Sequence, residues 1–224
     1  MLFQETSSRQ LASRRSGVMT QLLFVRHAAH DLLTSGVITG RQSGVHLNAL
    51  GRQQAEQIAE QLAALPIDAI YCSPLDRARE TADPLAAKLG VAPRIAEEFN
   101  EIDVGAWTNR TVAELEDILE WQQWNSFRSG SVAPGGESMV AVQARAVAKL
   151  CELRTRHKFV TIFTHADIIR AVLAHFLGVH LDLFLRIEID PASASWIELH
   201  DAAVRVRLVN GNVAGQELLP EPWQ

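Results

Sequence analysis

Two imidazoles close two short apolar runs. Leu22-Leu23-Phe24-Val25 ends in Arg26-His27, and Phe159-Val160-Thr161-Ile162-Phe163-Thr164 ends in His165. A neutral histidine can attack phosphorus with one ring nitrogen while a hydrogen bond to the other fixes its tautomer. Guanidinium forks can neutralise the equatorial oxygens of a phosphoryl group. An acid must protonate the leaving oxygen, because an alkoxide leaves poorly. The chain offers each type. His27 is the candidate nucleophile, Arg26 and Arg77 the clamp, Glu101 the acid with Asp103 as its competitor, and His165 a further donor to phosphate. The helix start after His165 adds backbone N–H groups and a favourable dipole.

These side chains need rigid elements behind them. Apolar runs of this length are too short for buried helices and read as strands buried on both faces. In an open α/β sheet the ligand crevice lies beyond the carboxyl ends of the strands, where both histidines fall. Asn48 reads as the N-cap of a helix over about residues 49–65, with Ala55, Ile58, Ala59 and Leu62 inward. Ala69-Ile70-Tyr71-Cys72 reads as a strand. Ser73 and Pro74 then read as N-cap and first position of a helix that carries Arg77 and Thr81 on one side. Ala92-Pro93-Arg94-Ile95 suggests a short edge strand, and Asn100 to Arg110 a loop. Thr111 should cap a helix to about Phe127, with Leu115, Ile118 and Leu119 inward. Beyond the break at Pro134-Gly135-Gly136, helices are expected from Glu137 to about His157 and over 166–177, the second stopped by Gly178. Residues 186–190 and 194–210 suggest three closing strands. The alternation predicts an α/β three-layer sandwich, with a mostly parallel central sheet and helices on both faces.

The 224 residues carry a formal net charge of −5 and no long basic run, which argues against nucleic acid as a partner. A phosphate site must therefore rest on local arginines. No apolar run approaches the roughly 20 residues of a membrane span. Cys72 and Cys151 read as buried thiols of a reducing compartment, which makes a cytoplasmic location the expectation. The eight histidines show no zinc-ligand spacing, so no metal is expected. Residues 1–20 read as a flexible N-terminal tail without a secretory h-region, Met19 being an alternative start, and 21–224 as a single domain. Arg9, Arg14 and Arg15 leave mitochondrial targeting as the other reading of that tail. Trp107, Trp121 and Trp124 read as packing residues.

Five blocks together resemble the histidine phosphatase superfamily, the phosphoglycerate mutase-like fold. Leu22 to Ala28 is similar to its Arg-His-Gly motif, and Ser73-Pro74-Leu75-Asp76-Arg77-Ala78-Arg79-Glu80-Thr81 to its second motif. Glu101 to Trp107 resembles its acid loop, Pro134-Gly135-Gly136-Glu137-Ser138 its Pro-Gly-Gly-Glu-Ser turn, and Thr164 to Arg170 its second histidine motif. The resemblance implies a phosphohistidine intermediate on His27, no metal and no cofactor. Its expected partner is a small-molecule phosphomonoester, with no membrane partner; oligomeric state stays open, a homodimer included. The chain departs from the pattern at Ala28 and Ala166, where glycine is usual, and at Leu33, where many members place a phosphate-binding Asn. Arg41, Thr39 or His30 could supply the missing donor, and Arg41 is carried forward as a substrate-binding candidate.

Three functions compete. The first is a phosphomonoesterase, in which water attacks the phosphohistidine with Glu101 as base. The second is a cofactor-dependent phosphoglycerate mutase. The third is a catalytically weak relative that binds a phosphorylated ligand. Mutases of the family tend to carry a longer shielding insertion, whereas 26 residues separate Trp107 from Pro134 here. That favours the phosphatase, with a rate optimum on the acidic to neutral side. Specificity should lie in residues 28–48 and 108–133. There Arg41, Arg110 and Arg128 hint at a second anionic group on the substrate.

Overall fold

The computed structural model describes residues 19–201 and 203–212, so the expected tail lies, through residue 18, outside the described residues. The elements follow in chain order. β1 (Thr20–Arg26) leads through α1 (Asp31–Thr34) to α2 (Ala49–Leu62), where the Asn48 side chain accepts from the Gly51 N–H as expected of an N-cap. β2 (Ala69–Cys72), α3 (Asp76–Leu89) and the short β3 (Arg94–Ile95) come next. α4 (Val112–Leu115), α5 (Leu119–Ser126) and α6 (Met139–Arg154) precede β4 (Phe159–Thr164) and α7 (Ala166–Leu177). Gly178, left-handed at φ 69°, ends α7. β5 (Ser193–Leu199) and β6 (Val204–Asn212) complete the sheet.

The sheet order is β3-β2-β4-β1-β5-β6, parallel from β3 to β1 and antiparallel at β5 and β6. Alternate residues of β1 enter two different cores. Leu22 and Phe24 pack with Leu150 and Leu153 of α6 and Val172 of α7. Leu23 and Val25 pack with Ile58 and Leu62 of α2 and Ala82 and Leu85 of α3. This two-sided demand is why the run contains no polar residue. Each such side chain fully withdrawn from water contributes about 1.5–3 kcal/mol.

Register decides what the strands deliver. Arg26 pairs with Thr164, and the His27 N–H donates to the Thr164 carbonyl at 2.8 Å. Cys72 pairs with Phe163, whose carbonyl accepts from the Ser73 N–H at 2.9 Å. Ser73, His165 and His27 therefore stand in one row, just past the carboxyl ends of three adjacent parallel strands.

Several boundaries differ from expectation, each for a physical reason. Ser73 is not the N-cap of α3; Leu75 takes that place. The residue before a proline is held extended, so Ser73 continues β2 by one residue and its hydroxyl is released for other work. The helix expected over 111–127 is two helices. Thr111 and Glu114 form a reciprocal capping box for α4, and the chain turns again at Ile118. The break aims Trp121 and Trp124 at Trp107, at centroid distances of 5.2 and 5.1 Å, and leaves Leu119 exposed. α6 starts after Ser138 and ends at Arg154, shorter than expected at both ends. Residues 186–190 form no strand. The carbonyls of Ile187 and Ile189 accept instead from the guanidinium groups of Arg170 and Arg26. Cys72 is buried, but Cys151 is exposed on α6.

Candidate active site

The imidazole of His27 lies 5.2 Å, centroid to centroid, from those of both His165 and His30. Its Nδ1 faces the carbonyl of Ala28 at 3.0 Å. A carbonyl only accepts, so Nδ1 carries the proton and the lone pair stays on Nε2. Burial, reinforced by the charges of Arg77 and Arg26, holds its pKa well below that of a free histidine. The ring is thus a neutral, oriented nucleophile.

His165 is fixed from the other side. Its Nε2 is 2.7 Å from the Ser73 hydroxyl, which is free to donate, because among the described residues the one other bond on that oxygen comes from the Leu75 N–H. Nε2 then accepts, and Nδ1 presents its hydrogen to the site. Among the described residues no group hydrogen-bonds that Nδ1; Glu101 Oε2 is 3.7 Å away. Burial and the charge of Arg77 keep this ring neutral as well. The sequence points to a helix cap at Ser73, since Ser-Pro reads the same way in either use.

Both expected clamp residues present an unmatched donor. Arg77, in the first turn of α3, gives Nη2 to the Gly40 carbonyl at 2.7 Å and Nη1 to the Gln42 carbonyl at 3.4 Å. Its Nε is buried without a hydrogen-bond partner among the described residues. Arg26 gives Nη1 to the Ile189 carbonyl at 2.6 Å and likewise leaves Nε buried and unpartnered. His30 adds a ring only 1% exposed whose two nitrogens, one donor and one acceptor in the neutral form, have no hydrogen-bond partner among the described residues. Burial, then the positive charges of Arg77 and Arg26, lower its pKa to about 4. Buried donors left unmatched by protein are costly, and here the rings of His30 and His165 flank His27 while the charges of Arg77 and Arg26 act on all three. Such a cluster suits an anion rich in acceptor oxygens.

Glu101 closes the ring. Its Oε1 accepts from the Ile102 N–H at 3.0 Å. Burial, helped by the negative charge of Asp167 and opposed by Arg77 and Arg26, raises its pKa to about 7. Near neutrality it can hold a proton and release it. Asp103, the competing carboxylate, accepts from the Gly105 N–H at 2.9 Å and so caps the turn. The acid loop lies back to back with the Pro134-Gly135-Gly136 turn. A Cβ on Gly105 or Gly136 would run into the backbone of Pro134 or Asp103 respectively, which explains a glycine on each side. Arg41 braces this assembly: Nε donates to the Glu101 carbonyl at 2.8 Å and Nη2 to the Glu137 carboxylate at 2.9 Å.

The departures from the family pattern have local answers. Neither Ala28 nor Ala166 is among the positive-φ residues of the described chain, so the added methyl meets no backbone conflict. Ala28 packs on Leu47 and Ala55, and its N–H donates to Thr81 Oγ1. Leu33 is in α1, one turn beyond His30, whose ring takes the place beside the nucleophile.

Comparison with known proteins bears directly on this geometry. The family model of the histidine phosphatase superfamily (branch 1) matches residues 22–212. The chain belongs to that superfamily. A relative of this histidine phosphatase is phosphoserine phosphatase 1 of Hydrogenobacter thermophilus, 30% identical over 190 residues, covering 82% of this chain and 88% of the relative. Adenosylcobalamin/alpha-ribazole phosphatase of Escherichia coli is 23% identical over 202 residues, covering 88% of this chain and 98% of its own. A mycobacterial glucosyl-3-phosphoglycerate phosphatase solved with VO3 superposes with a TM-score of 0.78 at 26% identity, covering 86% of this chain and 99% of that one. The chain is therefore an enzyme of the phosphatase class that works through phosphohistidine. Among the described residues no helix is long and apolar enough to cross a membrane.

Proposed function

We propose that the protein hydrolyses a small phosphomonoester by the following division of labour. Arg26 and Arg77 take the phosphoryl oxygens through their side-chain nitrogens, with His165 Nδ1–H and His30 as neutral donors. His27 Nε2 attacks phosphorus in line with the ester oxygen. The P–O ester bond breaks as the N–P bond forms, and protonated Glu101 gives its proton to the departing alkoxide. Water then attacks the phosphohistidine, its proton passing to the Glu101 carboxylate, and His27 is returned with inorganic phosphate. Each half-reaction reverses the proton position left by the other, so the cycle balances.

The observation that carries this reading is the buried ring of unmatched donors around a histidine whose tautomer is fixed for attack. Relatives named for phosphoserine, alpha-ribazole and glucosyl-3-phosphoglycerate phosphatase activity support small metabolites as the substrate class. The test is turnover of a panel of phosphorylated metabolites and an aryl phosphate, by the wild type and by His27→Ala. Turnover by the wild type and none by the variant is expected. Equal turnover would remove His27 from the mechanism, and isomerisation of 3-phosphoglycerate without phosphate release would make the protein a mutase.

A further inference from the structure

Glu101 belongs to no helix or strand, so something else must hold it where a leaving oxygen departs. Just before it, the Phe99 carbonyl accepts from Thr164 Oγ1 at 2.7 Å, which ties the loop to the end of β4. The next donors are spent inside the loop. The Glu101 N–H donates to Asn100 Oδ1, and the Ile102 N–H to the carboxylate of Glu101 itself. Among the described residues, the carbonyls of Asn100 and Glu101 are held by guanidinium groups alone. Arg145 Nη2, reaching from α6, donates to them at 2.8 and 3.4 Å, and Arg41 Nε donates to the second. Arg145 Nη1 adds the carbonyls of Glu97 and Glu98, at 3.3 and 2.6 Å.

Glu137 sets the plane of this fork. Its carboxylate accepts from Arg145 Nε at 3.0 Å and Nη2 at 3.1 Å, and also from Arg41 Nη2. Its own N–H donates to the Asp103 carbonyl at 2.8 Å, so Glu137 is itself pinned to the far side of the acid loop. Arg145 differs from the clamp residues. Arg26 and Arg77 each keep a buried Nε without a partner among the described residues, which suits a ligand. Arg145 has all three nitrogens in hydrogen bonds to protein, so it is built to hold rather than to bind. A rigid planar fork can serve several carbonyls and a carboxylate at fixed angles, which a single ammonium cannot. Precision matters here, because a misplacement of about 1 Å costs on the order of a hundredfold in rate.

We infer that Arg145 is a positioning residue for the proton donor: oriented by Glu137, it fixes the backbone of Asn100 and Glu101 so that the Glu101 carboxyl meets the leaving oxygen. The inference rests on the phosphatase reading above. It has a consequence that general support of the fold lacks. An alkoxide needs the proton of Glu101 to depart, whereas a nitrophenolate leaves without one. Loosening Arg145 therefore harms alkyl esters and spares activated aryl esters, since His27, Arg26 and Arg77 stand on other elements.

The test compares kcat/KM, which covers the steps through loss of the leaving group, for p-nitrophenyl phosphate and for the best alkyl ester among phosphoserine, glycerol 3-phosphate and 3-phosphoglycerate. Arg145→Lys should lower the alkyl value by about 10–100-fold and leave the aryl value within about threefold of wild type. In a Glu101→Gln background the same change should cost the alkyl ester less than about threefold, because the donor it positions is already gone. Glu137→Gln, which removes only the charge between the two guanidinium groups, should show the same split at about three- to tenfold, and it decides if Arg145→Lys does not fold. Parallel losses on both esters, or an undiminished further loss in the Glu101→Gln background, would overturn the positioning role while sparing the phosphatase reading. Wild-type turnover of the aryl ester with none of the alkyl esters used would overturn it too. No turnover of any phosphomonoester would sink both.

Discussion

His30 and Glu101 are two site residues moved in opposite directions by the same burial, and pH should reveal both. Glu101, raised to about 7, must be protonated for the first step, so kcat/KM should fall as pH rises through about 7. Part of that elevation comes from Asp167. Asp167→Asn removes the repulsion, stabilises the carboxylate and should move this alkaline limb to lower pH in a kcat/KM profile; an unmoved limb would mean another group titrates there. Glu101→Gln should lower kcat on alkyl phosphates by about 10²–10⁴-fold, with less loss on an aryl phosphate whose leaving group needs no proton. For stability the signs differ. His30, lowered to about 4, binds its proton later than the unfolded chain does, so its contribution is present above about pH 6.5 and lost as pH falls toward about 4. Glu101 acts oppositely, its contribution being full below about 4.5 and lost as pH rises through about 7. Denaturant titrations of His30→Gln should therefore show a shallower loss of stability between pH 6.5 and 4, by up to about 3 kcal/mol.

At the scale of elements, the site depends on close backbone contacts. The acid loop and the turn at Pro134-Gly135-Gly136 approach so closely that only glycines fit at 105 and 136. Gly136→Ala should cost about 1–3 kcal/mol in chemical denaturation and lower kcat more than it raises KM, because it displaces the loop that carries Glu101. A variant with wild-type kcat would show that the loop tolerates the shift. These elements also show what the sequence could disclose. His27 and His165 were legible because each closes a strand, and Arg77 because it opens a helix, where such types stand out against apolar runs; Glu101 lies in a loop and was legible only through its resemblance to the family's acid loop. At Ser73 the sequence does not distinguish a cap from a strand extension, because a proline follows it and the same dipeptide serves either. The single helix expected at 111–127 failed because the break at Ile118 serves a tertiary demand, the stacking of Trp121 and Trp124 near Trp107. Residues 186–190 carry a strand-like pattern, yet two guanidinium groups took the place of a ladder partner.

Across the whole molecule, the sheet is the device that turns distant sequence into one site. The in-register pairing of β1 with β4 sets His27 beside His165, and no local pattern in either strand specifies that register. It is enforced by two cores that claim alternate residues of β1, since a one-residue slip would send Leu22 and Phe24 to the wrong layer. Phe24→Ala should cost about 3–5 kcal/mol of unfolding free energy, read from the denaturant midpoint at unchanged m. A loss under 1 kcal/mol would contradict the two-sided core. The central claim, that the phosphoryl group passes through His27, is tested most directly by trapping it. Wild-type protein mixed with a radiolabelled phosphomonoester and quenched in alkali should retain one label per chain that acid releases, and His27→Ala should retain none. Turnover with no trapped label, or a label that survives in His27→Ala, would contradict the account.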